Sequence, residues 1–313
     1  MGDLLKDKVA VVTGSGRGLG RAFALLMAEE GAKLVINDLG GEKDGSGASK
    51  MAADEVVKEI QASGGVAAAN YDSVATAQGG ENIIKTALDN FGRIDILVNN
   101  AGILRDRMLH NMSDEEWDLV MKVHLYGHFY CTRPAIIQMR QQRSGRIINV
   151  ASPAALGNPG QSNYGAAKAG VLGFTRTVAR EVGRLGITCN SIIPAAPTRM
   201  AWSPELEAAW EKRKAAGAMD VTTAALGELK EMAPEDNAPL VVYLTSDEAA
   251  NINGATFQIW KGKIHLFTEL VPIETIEKAE RWTVAELRKE VPQSLMKGYV
   301  NPAPPEPPKE KPQ

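Results

Sequence analysis

Lys8-Val-Ala-Val-Val12-Thr13-Gly-Ser-Gly-Arg-Gly-Leu-Gly20 leads into Arg21 to Glu30, which carries apolar residues at helical spacing until Gly31. A β-branched run, a glycine-rich turn and an amphipathic segment in that order predict strand, turn and helix. The glycines at 14, 18 and 20 let a backbone approach a pyrophosphate, and the helix start offers free N–H groups and a positive dipole end. Gly14, Arg17, Gly18, Leu19 and Gly20 are therefore candidate contacts to a dinucleotide, although a glycine cluster by itself can be a mere tight turn. The next run, Lys33 to Asn37, reads as a second strand and ends at Asp38, 18 residues after Gly20. A carboxylate there accepts hydrogen bonds from an adenosine ribose and repels a 2′-phosphate. Arg17 argues the other way. A carboxylate facing a phosphate costs on the order of a few kcal/mol, more than an exposed guanidinium returns, so NAD is expected over NADP.

The alternation continues outward. Met51 to Ala62 reads as a helix, Val66 to Tyr71 as a strand, Glu81 to Asn90 as a helix, and Ile94 to Val98 as a strand ending in Asn99-Asn-Ala-Gly102. Strands alternating with helices predict an α/β fold, a doubly wound parallel sheet of the Rossmann type, with ligands at the carboxyl ends of the strands. Asp72 and Ser73 fall at one such end, and Asn100, Ala101 and Gly102 at another; the same residue types also suit plain turns. Gly40 to Gly47 reads as a mobile surface loop.

A second stretch carries chemistry. Ser152 follows the apolar strand Arg146 to Val150, and Tyr164 and Lys168 stand four apart on an Ala-rich segment with helical spacing, so they share one face. An ammonium beside a phenol favours the phenolate and is expected to pull the tyrosine pKa down from about 10. Tyr164 can then exchange a proton with an alcohol while Ser152 hydrogen-bonds the same oxygen. The pair alone is weak, because about 0.4 such spacings arise by chance.

Composition excludes other classes. The 313 residues are 44% hydrophobic and 23% charged with a net charge of -3, which gives no electrostatic reason to expect nucleic acid or an anionic membrane as partner. Cys131 and Cys189 make no disulfide framework and no metal-ligand spacing, and the four histidines are scattered. No run reaches membrane-spanning length and the N-terminus lacks an apolar signal core, so a cytoplasmic protein without metal is expected.

Taken in order, Thr13-Gly14-x-x-x-Gly18-x-Gly20, Asn99-Asn-Ala-Gly102, Ser152 and Tyr164-x-x-x-Lys168 resemble the short-chain dehydrogenase/reductase family over roughly residues 5–262. Val35-Ile-Asn-Asp-Leu-Gly-Gly41, Ala69-Asn-Tyr-Asp-Ser-Val74, Asn99 to Arg107 and Val123-His-Leu125 resemble its peroxisomal multifunctional branch, whose dehydrogenase part uses NAD on (3R)-hydroxyacyl-CoA. The resemblance implies Tyr164 as acid/base, Ser152 as the group positioning the substrate oxygen, and Lys168 as holder of the nicotinamide ribose. It also implies Asp38 on the adenine ribose, Asp72 and Ser73 at the adenine edge, Asn100 to Gly102 on the adjoining ribose region, and Pro194 to Met200, with Thr198, as the segment closing on the coenzyme. His124 stands where most of the family has Asn, and either joins a proton relay or packs. Ser152 is one residue closer to Tyr164 than is usual, so Pro153 to Leu156 must take another path.

Residues 1–262 are expected to form the dehydrogenase domain, with a helical substrate lid from Trp202 to Met232 in which Trp202, Trp210 and Met219 are candidate pocket residues. Residues 263–298 are expected to pack on it as an extension containing a capping-box helix at Thr283 to Glu290, and 299–313 to be a flexible Pro-rich tail. Asp114 to Arg140 and Asn163 to Leu185 are long helical stretches, either sheet covers or, as the resemblance implies, a homodimer or homotetramer interface. The expected activity is NAD-dependent oxidation of a 3-hydroxyacyl-CoA to the 3-ketoacyl-CoA. A hydroxysteroid substrate is the nearest alternative, and a non-catalytic subunit of a hetero-oligomer is the alternative from another class.

Overall fold

Val9–Thr13 (β1) is buried at all five positions and sits inside the sheet rather than at its edge, as its unbroken apolar run requires. This computed structural model describes residues 2–198, 202, 204–215, 221–268, 270–298 and 302. After β1 come Gly18–Glu29 (α1), Lys33–Asn37 (β2), Met51–Ala62 (α2), Val66–Asn70 (β3), Ala77–Phe91 (α3) and Ile96–Asn99 (β4). Asp114–Met121 (α4), the π-helical turn Lys122–Tyr126 and Gly127–Gln142 (α5) form one continuous helical run, followed by Gly145–Val150 (β5), Ser162–Val182 (α6) and Ile187–Ile193 (β6). Pro204–Ala215 (α7), Val221–Lys230 (α8), Ala238–Thr245 (α9), Thr256–Trp260 (β7), Lys263–Leu266 (β8) and Val284–Gln293 (α10) complete the chain.

The strand order is β3-β2-β1-β4-β5-β6-β7-β8, parallel through β7. The chain moves one way from β1 to β3 and then crosses to β4, so a crevice opens above β1 and β4 at their carboxyl ends. One face of the sheet is covered by α1, α2 and α9 through Phe23, Met27, Val56, Ile60 and Val241. The other is covered by α3, α5 and α6 through Ile83, Ile84, Cys131, Met139 and Val178. A doubly wound α/β fold with helices on both faces is what the alternating pattern predicts.

Two expectations need correction. The sheet does not stop before Gly262: Lys261 and Gly262 both take positive φ, 44° and 72°, and form a two-residue hairpin pairing Trp260 with Lys263. Gly262, the expected end of the dehydrogenase domain, is part of the turn that returns β8 antiparallel, and the first compact unit runs to Phe267. Gly40 to Gly47 is not a loose loop either. Leu104 donates its N–H to the Lys43 carbonyl at 2.9 Å, and Arg105 Nε donates to the Asp44 carbonyl at 2.6 Å.

The second unit, residues 268–313, contains α10. Its capping box is present, Thr283 and Glu286 each bonding the other's backbone, and Lys278 Nζ meets Glu286 at 2.7 Å. The tail from 299 onward lies outside the described residues except for Pro302. Among the described residues no helix is long and apolar enough to cross a membrane.

Candidate active site

A cleft of about 1240 Å³ occupies the crevice at the strand ends. Its floor is the turn after β1. Thr13 Oγ1 accepts the N–H of Asn100 at 3.0 Å and of Ala101 at 3.1 Å, and Asn100 Nδ2 donates to the carbonyls of Thr13 and Gly14 at 2.9 and 3.0 Å. The ends of β1 and β4 are thereby stapled together. Close approach dictates two of the glycines: a Cβ on Gly14 would stand 2.7 Å from Ala101 Cα, and one on Gly20 would stand 2.3 Å from the Gly14 carbonyl oxygen. The helix α1 starts at Gly18 with no side-chain cap from Arg17, which leaves its first N–H groups for an anion.

Asp38, at the end of β2, accepts the N–H of Gly16 at 2.8 Å through Oδ2 and the N–H of Gly40 at 2.7 Å through Oδ1. Asp72 is oriented by Asn70 Nδ2 at 2.8 Å and Asn82 Nδ2 at 2.9 Å. Arg17, Leu19, Ser73, Gly102, Pro194 and Thr198 line the same cleft. A glycine turn with no Cβ in the way, uncapped helix N–H groups and a carboxylate at the second strand end fit an adenine dinucleotide.

Ser152, Tyr164, Lys168 and His124 also line the cleft. The shortened spacing does not displace Ser152. Pro153–Leu156 forms a tight helical turn capped by the Ser152 hydroxyl, which lies near enough to Tyr164 to lower the phenol pKa. Lys168 is 2% exposed and donates to the Val150 carbonyl, with Nζ 5.6 Å from the Tyr164 ring centre. Burial pushes the Lys168 ammonium down to about 7. Tyr164 corrects the expectation for its acidity: burial raises its pKa, the Ser152 hydrogen bond opposes that, and the Asp106 carboxylate adds to it. Removal of water from the phenolate outweighs a lysine whose own charge is disfavoured by the same burial.

His124 lies in the π-helical turn, 1% exposed, with its ring edge-on to Tyr164 at 4.9 Å. Its Nε2 is 2.8 Å from the Ile103 carbonyl oxygen and 3.1 Å from the Ile103 nitrogen. Burial first, then Lys168 and His128, hold its pKa well below the usual imidazole value, so the ring is neutral. The ring packs against Tyr164 and bonds the Ile103 backbone, while its Nδ1 is buried without a hydrogen-bond partner.

Sequence reasoning missed part of the wall. Leu226, Leu229 and Trp260 line the cleft, whereas Trp202 and Trp210 pack on each other at 6.3 Å and do not line it; Met219 lies outside the described residues. Arg105 is engaged with Asp44, and Arg107 pairs with Glu116 at 2.8 Å. The apolar alternation of α8 and the single Trp260 carry no local sign of facing a ligand.

A dinucleotide crevice lined by Ser152, Tyr164 and a buried Lys168 defines a nicotinamide-dependent oxidoreductase. The model of the short chain dehydrogenases matches residues 8–207, and the chain belongs to that family, whose members act on CH–OH groups. It is 46% identical over 263 residues to the peroxisomal multifunctional enzyme type 2 of Mus musculus, a match covering 82% of this chain and 32% of that protein. It is 40% identical over 283 residues to the hydroxyacyl-CoA dehydrogenase ChsB1 of Mycobacterium tuberculosis, covering 84% of this chain and 80% of that one. The crystal structure of a short chain dehydrogenase from Mycobacterium avium matches with a TM-score of 0.78 at 41% identity, over 96% of this chain and 98% of that one. The chain thus spans about a third of the mouse multifunctional protein.

Proposed function

We propose that the protein oxidises the secondary alcohol of a 3-hydroxyacyl-CoA to the 3-ketoacyl-CoA with NAD, as a step in acyl-chain degradation. The observation that carries this reading is that Asp38, after β2, and Ser152, Tyr164 and Lys168, at and beyond the end of β5, line one cleft, with β1 and β4 between those two strands. A nicotinamide held there would supply the hydride acceptor for the carbinol carbon. Tyr164 Oη takes the hydroxyl proton, Ser152 Oγ holds the substrate oxygen, and Lys168 stands beside the phenol ring. Because burial raises the phenol pKa, the free site holds Tyr164 protonated, ready to donate in reduction; oxidation gains as pH rises and the phenol gives up its proton.

The carboxylate of Asp38 supports NAD over NADP, since a 2′-phosphate would meet its negative charge. The name of the mycobacterial relative supports the acyl-CoA substrate. We also infer a homodimer or homotetramer joined through the helical run from α4 to α5, where Tyr126, Phe129 and Ile137 are 49, 41 and 52% exposed, and through α6. A cytoplasmic location suits the buried thiols of Cys131 and Cys189.

Turnover of a 3-hydroxyacyl-CoA, its free acid and a 17β-hydroxysteroid, each with NAD and with NADP, tests the reading. The thioester should win by on the order of 100-fold in kcat/KM with NAD. Equal efficiency for the free acid removes the CoA assignment, and a preference for the steroid replaces it.

A further inference from the structure

We propose that residues 41–45 form a clasp over the bound coenzyme, latched by Arg105. The proposal rests on the reading of the cleft as a dinucleotide site and extends it to a segment with no part in the glycine-rich fingerprint.

The sheet order dictates what this segment must cross. It leaves the end of β2 at Asp38, and its tip is held by Leu104 and Arg105, which follow β4. Strands β2 and β4 are separated by β1, whose own turn is the phosphate-side floor. A segment joining the ends of β2 and β4 therefore bridges that floor. Consistent with this, Gly41, Glu42, Lys43 and Gly45 line the cleft together with Asp38 on one side and Ile103 on the other.

The clasp is shaped for the position. At its base Gly40 has φ +72° and a Cβ there would fall 1.8 Å from the Ser49 carbonyl oxygen, so the two legs are pinched together. At its tip Gly45 has φ +85°, and a Cβ would stand 3.1 Å from Ile103 Cδ1 and 3.4 Å from Leu119 Cδ2. Two bonds close it: Leu104 N–H to the Lys43 carbonyl at 2.9 Å and Arg105 Nε to the Asp44 carbonyl at 2.6 Å. The Arg105 backbone is fixed in turn, its carbonyl accepting Asn163 Nδ2 at 3.0 Å. A dinucleotide lying on the β1 turn would sit beneath this bridge, and its departure requires the tip to lift. Arg105 is accordingly a positioning residue, acting through the clasp and not on the substrate.

Stopped-flow release of NADH from the full chain tests this, with Arg105→Ala, Arg105→Lys and Gly45→Val. The loss of a charge-assisted bond predicts release about tenfold faster in Arg105→Ala and a matching rise in NADH Kd. Partial recovery is expected in Arg105→Lys. Gly45→Val, which strains the tip without touching Arg105, should speed release as well. Single-turnover hydride transfer should stay within about twofold of the parent, a split that general loosening of the fold would not give. NADH release unchanged in both Arg105→Ala and Gly45→Val overturns the clasp, as does a hydride step that falls in proportion. Parent protein that binds neither NADH nor NADPH overturns the functional reading of the cleft instead.

Discussion

Asn163 accepts the backbone N–H of Tyr164 through its Oδ1 at 2.7 Å, so the residue beside the reactive phenol fixes the start of the helix that carries it. Asn163 is fully buried, and its Nδ2 donates to the carbonyls of Arg105 and Glu116, each at 3.0 Å. Replacing it by Ala leaves two part-buried carbonyls and one N–H without this partner. Asn163→Ala should lose about 2–4 kcal/mol of stability in urea melts. Its kcat should fall more than its coenzyme affinity, because the disturbed element carries Tyr164 and not the glycine turn. Stability within about 0.5 kcal/mol of the parent would show that the site reorganises around the gap.

Tyr164→Phe removes one oxygen and keeps the ring against His124. Turnover should drop by on the order of 100- to 10,000-fold, the range for losing a positioned acid/base, with NADH binding retained. Steady-state rates alongside a fluorescence titration check this, and an active Phe variant would reassign the proton transfer to another group.

Much of this geometry is legible from local sequence. The β1–glycine turn–α1 unit folds from neighbouring residues, so glycine spacing puts Gly14, Gly18 and Gly20 at the turn and helix start that line the cleft, and the i, i+4 spacing puts Tyr164 and Lys168 on one helix face. What the chain hides is non-local. The segment after Asp38 carries the glycines and charges of a surface loop because its fixing partners, Leu104 and Arg105, lie some sixty positions away; Arg105 is 61 residues from Asp44. The acidity of Tyr164 likewise depends on how much water the finished fold removes, which a Tyr-x-x-x-Lys spacing does not state. At Lys261-Gly262 the local signal is ambiguous in itself, since positive φ serves equally to end a sheet or to turn a hairpin.

On the proposed reading Asp38 sets the coenzyme preference, and its two backbone hydrogen bonds from Gly16 and Gly40 give it a structural task as well. Asp38→Ser keeps a short acceptor and removes the negative charge. The ratio of kcat/KM with NAD to that with NADP should fall by on the order of 100-fold, mostly through a gain with NADP. A ratio that does not move would place the 2′-position away from this carboxylate.

Lys168 supplies a test that needs no substrate. Burial brings its pKa from 10.5 to about 7, so between those values the unfolded chain holds a proton that the folded one does not. Stability therefore rises with pH across that window: the burial cost is full below about pH 7 and absent above the unfolded value. Lys168→Met keeps the length of the side chain and removes the charge. It should be more stable than the parent by several kcal/mol at pH 6–7, on the order expected for a shift of this size. The advantage should shrink steadily as pH approaches 10, while turnover is lost throughout. Urea melts of both proteins at five or six pH values measure it. A difference that is constant with pH, or a Met variant less stable at pH 6, would mean that the ammonium finds enough polar contact in the folded protein to stay charged.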